Sequence, residues 1–300
     1  MKYDLIIIGG GPAGLSAAIY AARYKINTLI ISKTMGGTAA TANLICNFPS
    51  YKPIKGFELM RKFTQNVSEL NVPIIYEEVK EIRKEKEKFI VKTDDKSYEA
   101  KKIIFAAGTR RQHLNVPGEG KFYGKGVSYC ATCDAPFYKN REVIVVGGSD
   151  GALTSALLLS EFATNVLILY RGNKFEKADP TWVDIVNKNK KIKQIFNEEI
   201  SEVLGDKNVS GVKLKSGKNL KCYGIFVEIG SLPEVEALKE IGIKLTNKNY
   251  IICDKEQRTN IPGIYAAGDI TNNSLKQIIT ASGEGAVAAY SAYHDLKEEN

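Results

Sequence analysis

A chain of 300 residues is long enough for one large or two ordinary domains, at roughly 100–200 residues each, and needs neither a disulfide framework nor a metal to complete its core. Charged residues at 25% and hydrophobic ones at 44% exclude a disordered or collagen-like chain. Lys and Arg total 42 against 34 Asp and Glu, a formal charge of +8; the basic residues are spread out, which argues against nucleic acid but favours encounter with acidic partners.

In chain order, residues 3–8 (Tyr-Asp-Leu-Ile-Ile-Ile) predict a buried parallel strand. Residues 13–23 predict a helix and 27–32 a second strand. The apolar stretch from Leu5 to Ala22 is broken by Gly9-Gly10-Gly11-Pro12. A strand, turn and helix therefore explain it better than a membrane span or signal peptide, and the expected location is the cytoplasm. Strands follow at Lys88–Thr93 and Ser97–Ala107. The opening pattern returns at 142–147 (strand), about 150–163 (helix) and 166–170 (strand). Residues 263–268 predict another strand, and a long helix runs from about Gln277 to Leu296. Val116-Pro117-Gly118-Glu119-Gly120 and Gly230-Ser231-Leu232-Pro233 read as connectors. The expected fold class is α/β: two Rossmann-like three-layer domains, the second inserted into the first. The expected boundaries are 1–112 with 234–300 for the split domain and 113–233 for the insert.

Gly9-Gly10-Gly11-Pro12-Ala13-Gly14 satisfies G-x-G-x-x-G after a strand and before a helix, the context in which it binds a dinucleotide pyrophosphate. No acidic residue ends the next strand to take a ribose; Ser32 could make a weaker contact. The second turn, Gly147-Gly148-Ser149-Asp150-Gly151-Ala152, places Ser149 where a side chain crowds a pyrophosphate. It reads as a nucleotide site or as scaffold alone. Cys130 and Cys133 have the spacing of a redox disulfide. Half of a zinc site or two inert thiols are the other readings, but Cys46, Cys222 and Cys253 are isolated and only His113 and His294 exist, so no second ligand pair is visible and no metal is expected. Asp134 is either a turn-capping carboxylate or a proton source beside a departing thiolate. Gly268-Asp269 ends a short strand, where a carboxylate could face a ligand.

Together these motifs resemble the low-molecular-weight thioredoxin reductases almost end to end. The landmarks are residues 9–14, Gly36-Gly37, Asn47-Phe48-Pro49, Ala107-Gly108 with Val116-Pro117-Gly118-Glu119, Cys-Ala-Thr-Cys-Asp at 130–134, and Ala-Ala-Gly-Asp at 266–269 followed by Lys276-Gln277-Ile278. The resemblance implies an FAD-dependent homodimer that reduces thioredoxin or a thioredoxin-like protein. It implies FAD along Gly9, Gly11, Pro12, Ala13 and Gly14, with Gly37, Thr38, Asn47, Gly108, Lys276 and Ile278. Asp269 would meet the ribityl–pyrophosphate region and Gln277 the isoalloxazine. Cys133 would be the thiol nearer the flavin, Cys130 the one that attacks the substrate and Asp134 the acid. Thr38 and Lys276 stand where the family usually has Gln and Arg.

Members that use NADPH carry an arginine cluster after the second strand of the inserted domain. Here that stretch is Tyr170-Arg171-Gly172-Asn173-Lys174-Phe175-Glu176; Arg171 survives and Glu176 opposes a 2′-phosphate. A second nucleotide on Gly147, Ser149 and Arg171 is therefore weakly supported, NAD(P)H is left open, and ferredoxin or another reductant becomes a candidate donor. The alternatives are a flavoprotein reductase or oxidase without a protein disulfide substrate, or a redox-sensing module that retains FAD.

Overall fold

The computed structural model describes residues 2–299. Its elements are β1 (Lys2–Gly10), α1 (Pro12–Arg23), β2 (Thr28–Met35), α2 (Gly56–Glu69), β3 (Ile74–Ile75), β4 (Val79–Glu85), β5 (Lys88–Thr93), β6 (Ser97–Phe105), β7 (Thr109–Arg111), β8 (Val127–Ser128), α3 (Ala131–Asp134), β9 (Glu142–Val146), α4 (Asp150–Phe162), β10 (Asn165–Tyr170), α5 (Pro180–Lys188), β11 (Ile192–Phe196), β12 (Ile200–Gly205), β13 (Val209–Leu214), β14 (Asn219–Lys221), β15 (Gly224–Val227), β16 (Ser231–Pro233), β17 (Ile264–Ala266) and α6 (Ile278–Glu298). The chain forms two compact units. The first runs to Ala40, then Ile45–Arg110, then from Leu232 onward; the second holds Thr41–Leu44 and Arg111–Ser231.

In the first unit β1 lies parallel between β2 and β6, with β3 beyond β2. Leu5 to Ile8 are all buried because helices cover one face and other chain covers the opposite one, as parallel sheets require. Helices α1, α2 and α6 seal one face against Leu5, Ile7, Ile30 and Ile104. The hairpin β4–β5 pairs antiparallel with the first half of β6, while β17 runs parallel to its second half. Ile6, Ile8, Leu29, Ile82, Phe89 and Phe105 fill the other face.

The second unit repeats the plan. Its parallel sheet has the order β11-β10-β9-β15-β8. Helices α3, α4 and α5 pack on Val143, Val145, Val166 and Ile168. The antiparallel β12-β13-β14 sheet brings Val203, Val212 and Leu214 to the opposite face, against Ile144, Val146 and Ile225. Both halves are therefore three-layer α/β folds of the kind the two glycine turns predict, one interrupting the other in sequence.

Local differences have local causes. Gln277 is the N-cap of α6 rather than its first residue, because its side chain and that of Thr280 form a reciprocal capping box. Ser231–Pro233, expected as a connector, is a short strand. The strand expected over 263–268 is only Ile264–Ala266. Among the described residues no helix is long and apolar enough to cross a membrane.

Candidate active site

Parallel strands deliver their C-terminal ends to one sheet edge, where such folds bind ligands. In the first unit that edge receives Gly9 from β1, Ser32 with Gly37 and Thr38 from the end of β2 and beyond, Gly108 just past β6, and Asp269 just past β17. Gly9 has φ +110°, and a Cβ there would overlap the Ala106 carbonyl; a Cβ on Gly14 would overlap the Gly9 carbonyl. Neither position tolerates a side chain. Gly11 is different: its missing Cβ would meet nothing within 4 Å, and it caps α1 without a side-chain bond. The first-turn N–H groups of Ala13 and Gly14 (Pro12 has none) thus open onto space, a cradle that fits the pyrophosphate of FAD. Gly108 is equally open. Ser32 Oγ accepts the Gly10 N–H at 2.8 Å and donates to Thr34 O at 2.7 Å, so its proton is already committed to the chain.

Asn47 and Gln277, 230 residues apart, meet: Asn47 Nδ2 donates to Gln277 Oε1 at 3.0 Å. Ile278 starts α6 directly after Gln277. Lys276 Nζ donates to Thr271 O and stands 4.6 Å over the Tyr250 ring. Burial pushes the Asp269 carboxyl above its ordinary range, and Lys276 pulls it back; burial likewise lowers the Lys276 ammonium. Beneath this edge sits Glu284, buried in α6. Its carboxylate accepts the Gly268 N–H at 2.7 Å, the Thr271 hydroxyl at 3.1 Å and the Asn273 amide. Sequence reasoning missed it. The available signal was a single acidic residue inside the small-residue run 281–292.

In the second unit Cys130 and Cys133 form a disulfide with Cα atoms 5.3 Å apart. Cys130 caps α3, and the Cys133 N–H donates to Cys130 Sγ at 3.2 Å. Cys133 is exposed and Cys130 half-buried. Ser128, buried at the end of β8, ties the constellation together. Its Oγ donates to Asp134 Oδ2 at 2.6 Å and accepts the Cys130 N–H at 3.1 Å. Thr132 Oγ1 donates to Thr41 O at 2.8 Å, and Phe137, three residues past Asp134, is 78% exposed. Ser128 carried no sequence signal. The arrangement offers a surface disulfide with a carboxyl group anchored beside it, which suits thiol–disulfide exchange with a large partner.

The second glycine turn lies elsewhere in the same unit. Gly147 has φ +145° against the Glu228 carbonyl. Ser149 is the N-cap of α4 without a side-chain cap bond, and Arg171 is exposed. Glu228, just after β15, pairs with Arg111 and accepts the Ser155 hydroxyl at 3.0 Å. Burial raises its carboxyl above the usual range; Arg111 and Ser155 work against that rise.

Comparison with known proteins places the chain in a family. Residues 3–285 match the profile of the pyridine nucleotide-disulphide oxidoreductases. A thioredoxin reductase of Listeria monocytogenes is 38% identical, over 99% of this chain and 94% of its own. The crystal structure of Lactococcus lactis thioredoxin reductase in its FR conformation superposes with a TM-score of 0.96 at 37% identity, over 99% of this chain and 100% of that one. A ferredoxin-flavin thioredoxin reductase from Clostridium acetobutylicum is 33% identical over 99% of both chains, with a TM-score of 0.56. The chain therefore belongs to the pyridine nucleotide-disulphide oxidoreductase family, within its low-molecular-weight thioredoxin reductase branch of FAD-dependent oxidoreductases acting on a sulfur group.

Proposed function

We propose that this protein reduces the disulfide of thioredoxin or a thioredoxin-like protein, with electrons from a donor other than a nicotinamide nucleotide, a small acidic iron–sulfur protein such as ferredoxin being the leading choice. The observation that carries the substrate reading is the surface disulfide Cys130–Cys133 beside Asp134. The lost arginine cluster at 170–176 and the +8 charge support the donor reading, as does the likeness to a ferredoxin-flavin enzyme. The working unit we propose is a cytoplasmic homodimer. Its FAD-binding domain is residues 1–112 with 234–300, and its disulfide-bearing domain is residues 113–233.

FAD, when bound and reduced by the donor, would supply the two electrons that open the Cys130–Cys133 disulfide. The glycine turn 9–14 holds its pyrophosphate, with Gly37, Thr38, Asn47, Gly108, Asp269 and the start of α6 around the remainder. Once the pair is reduced, the Cys130 thiolate attacks one sulfur of the substrate disulfide. The other substrate sulfur leaves as a thiolate and takes a proton from Asp134. The Cys133 thiolate then attacks Cys130 Sγ, the mixed disulfide breaks, and the second substrate sulfur departs as a thiolate that takes its proton from solvent while Cys130–Cys133 re-forms.

Cys130→Ser is expected to keep its yellow FAD absorbance and to lose thioredoxin-disulfide reduction down to background; full activity in that variant would refute the substrate reading. The donor is identified by mixing the oxidised protein anaerobically with NADPH, NADH or reduced ferredoxin and following the flavin absorbance. Bleaching by ferredoxin is expected, and rapid bleaching by low NADPH would overturn the donor reading.

A further inference from the structure

Helix α4 rises from the second glycine turn, and in a fold of this plan the N–H groups of its first turn would receive a dinucleotide pyrophosphate. The protein's own charge occupies that neighbourhood. The backbone N–H of Glu228 bonds Val146 O at 2.8 Å, which fixes the residue at the sheet edge beside the end of β9. From there its side chain reaches α4. Oε2 lies 3.5 Å from where a Cβ would stand on Gly151, in the first turn; Oε1 accepts the Ser155 hydroxyl one turn later. The side chain is only 10% exposed and is held by Arg111. A second carboxylate, Asp150, opens the helix and accepts the Asp179 N–H at 2.6 Å. On the flank where an adenosine would lie, the Tyr170 ring presses on Gly148, whose Cβ would stand 2.6 Å from it. That ring stacks on Phe175, centroids 5.9 Å apart.

We infer that Glu228 is a specificity-determining residue that closes the second glycine turn to the pyrophosphate of a pyridine dinucleotide. The inference deepens the donor part of the proposed function and rests on it. A phosphate entering the first turn of α4 would meet Glu228 and Asp150 together. The guanidinium paired with Glu228 is already neutralised by it, so no surplus positive charge remains there to compensate. An anion of like sign at short range in a partly buried site discriminates by repulsion rather than by lost contacts. Gly151, which could otherwise leave the first turn open, instead has the carboxylate 3.5 Å from where its Cβ would stand.

The test is equilibrium binding to the oxidised holoenzyme, which involves no turnover. NADH and NADPH are titrated by calorimetry into the wild type, Glu228→Ala, Glu228→Gln and the double variant Arg111→Gln/Glu228→Ala. FAD absorbance and thermal melting report whether each variant is folded. The wild type is expected not to saturate at millimolar nucleotide. Both single variants should bind at least about tenfold more tightly, in keeping with the removal of one close like charge. The gain should survive in the double variant, since it comes from removing a carboxylate and not from freeing a guanidinium. Low-micromolar binding by the wild type, single variants that bind no better, or a gain abolished in the double variant would each overturn the inference. These outcomes are separable from the donor reading, which is read from flavin bleaching: ferredoxin bleaching with no gain in the single variants sinks the role of Glu228 alone.

Discussion

At the scale of single residues, Ser128 is the most informative side chain beside the disulfide. A hydroxyl can donate to a carboxylate and, after rotating, accept from the protonated acid. Its 2.6 Å bond to Asp134 can therefore persist through a proton cycle, while the Cys130 N–H keeps the hydroxyl in place. Ser128→Ala should leave FAD content and melting temperature nearly unchanged. It should slow disulfide exchange about tenfold, the scale of one hydrogen bond to a charged group, and shift the pH profile of the exchange rate. Ser128→Thr should restore part of the rate. An unchanged pH profile in Ser128→Ala would show that the hydroxyl only packs.

At the scale of elements, the two halves of the proposed FAD edge depend on α1 and α6 approaching at backbone distance. A Cβ on Gly285 would overlap the Ala13 carbonyl, in the first turn of α1. Gly283, two residues earlier on the same helix, faces open space. The pair makes an internal control. Gly285→Val should destabilise by about 1–3 kcal/mol through overpacking and loosen FAD, because Ala13 belongs to the pyrophosphate turn. Gly283→Ala should be neutral or stabilise by up to about 1 kcal/mol, from helix propensity. Urea midpoints and the flavin retained after gel filtration check both; equal effects in the two variants would contradict the packing argument.

At the scale of the whole molecule, two free thiols contribute to the response to alkali, alongside Tyr129, Tyr138 and Tyr265, whose hydroxyls burial also pushes up. Burial pushes Cys222 up to about 12, and burial with Glu284 and Asp254 nearby pushes Cys253 up to about 11. In the unfolded chain a thiol ionises near about 8.5. The folded state thus holds these protons over a range where the unfolded state releases them. The stability they contribute is complete below about pH 8.5 and is lost as pH rises toward 11 to 12. Melting temperature should fall steadily between pH 9 and 11, and Cys222→Ala should flatten that fall. A flat profile in the wild type would show that the thiols do not matter.

The sequence by itself determined what is local along the chain. The two glycine turns, the strand–helix–strand units that contain them and the Cys130–Cys133–Asp134 cluster were legible because each motif spans a few consecutive residues whose backbone needs are written in residue type. The runs Leu5–Ile8 and Val143–Val146 announced parallel strands because both of their faces are buried. Helices α2 and α5 and the β12–β14 sheet lie outside those motifs, although Asp179-Pro180 marks the start of α5. Only the tertiary structure decided which distant groups meet: Asn47 with Gln277 across 230 residues, Arg111 with Glu228 across 117, the Gly268 N–H with Glu284 under the candidate FAD edge. Such pairs leave no periodic trace, since a hydrogen bond between remote residues depends on strand order and helix approach. The arginine cluster missing from residues 170–176 hinted at an altered donor; that the Glu228 carboxylate stands at the first turn of α4 emerges only when β15 is laid beside β9.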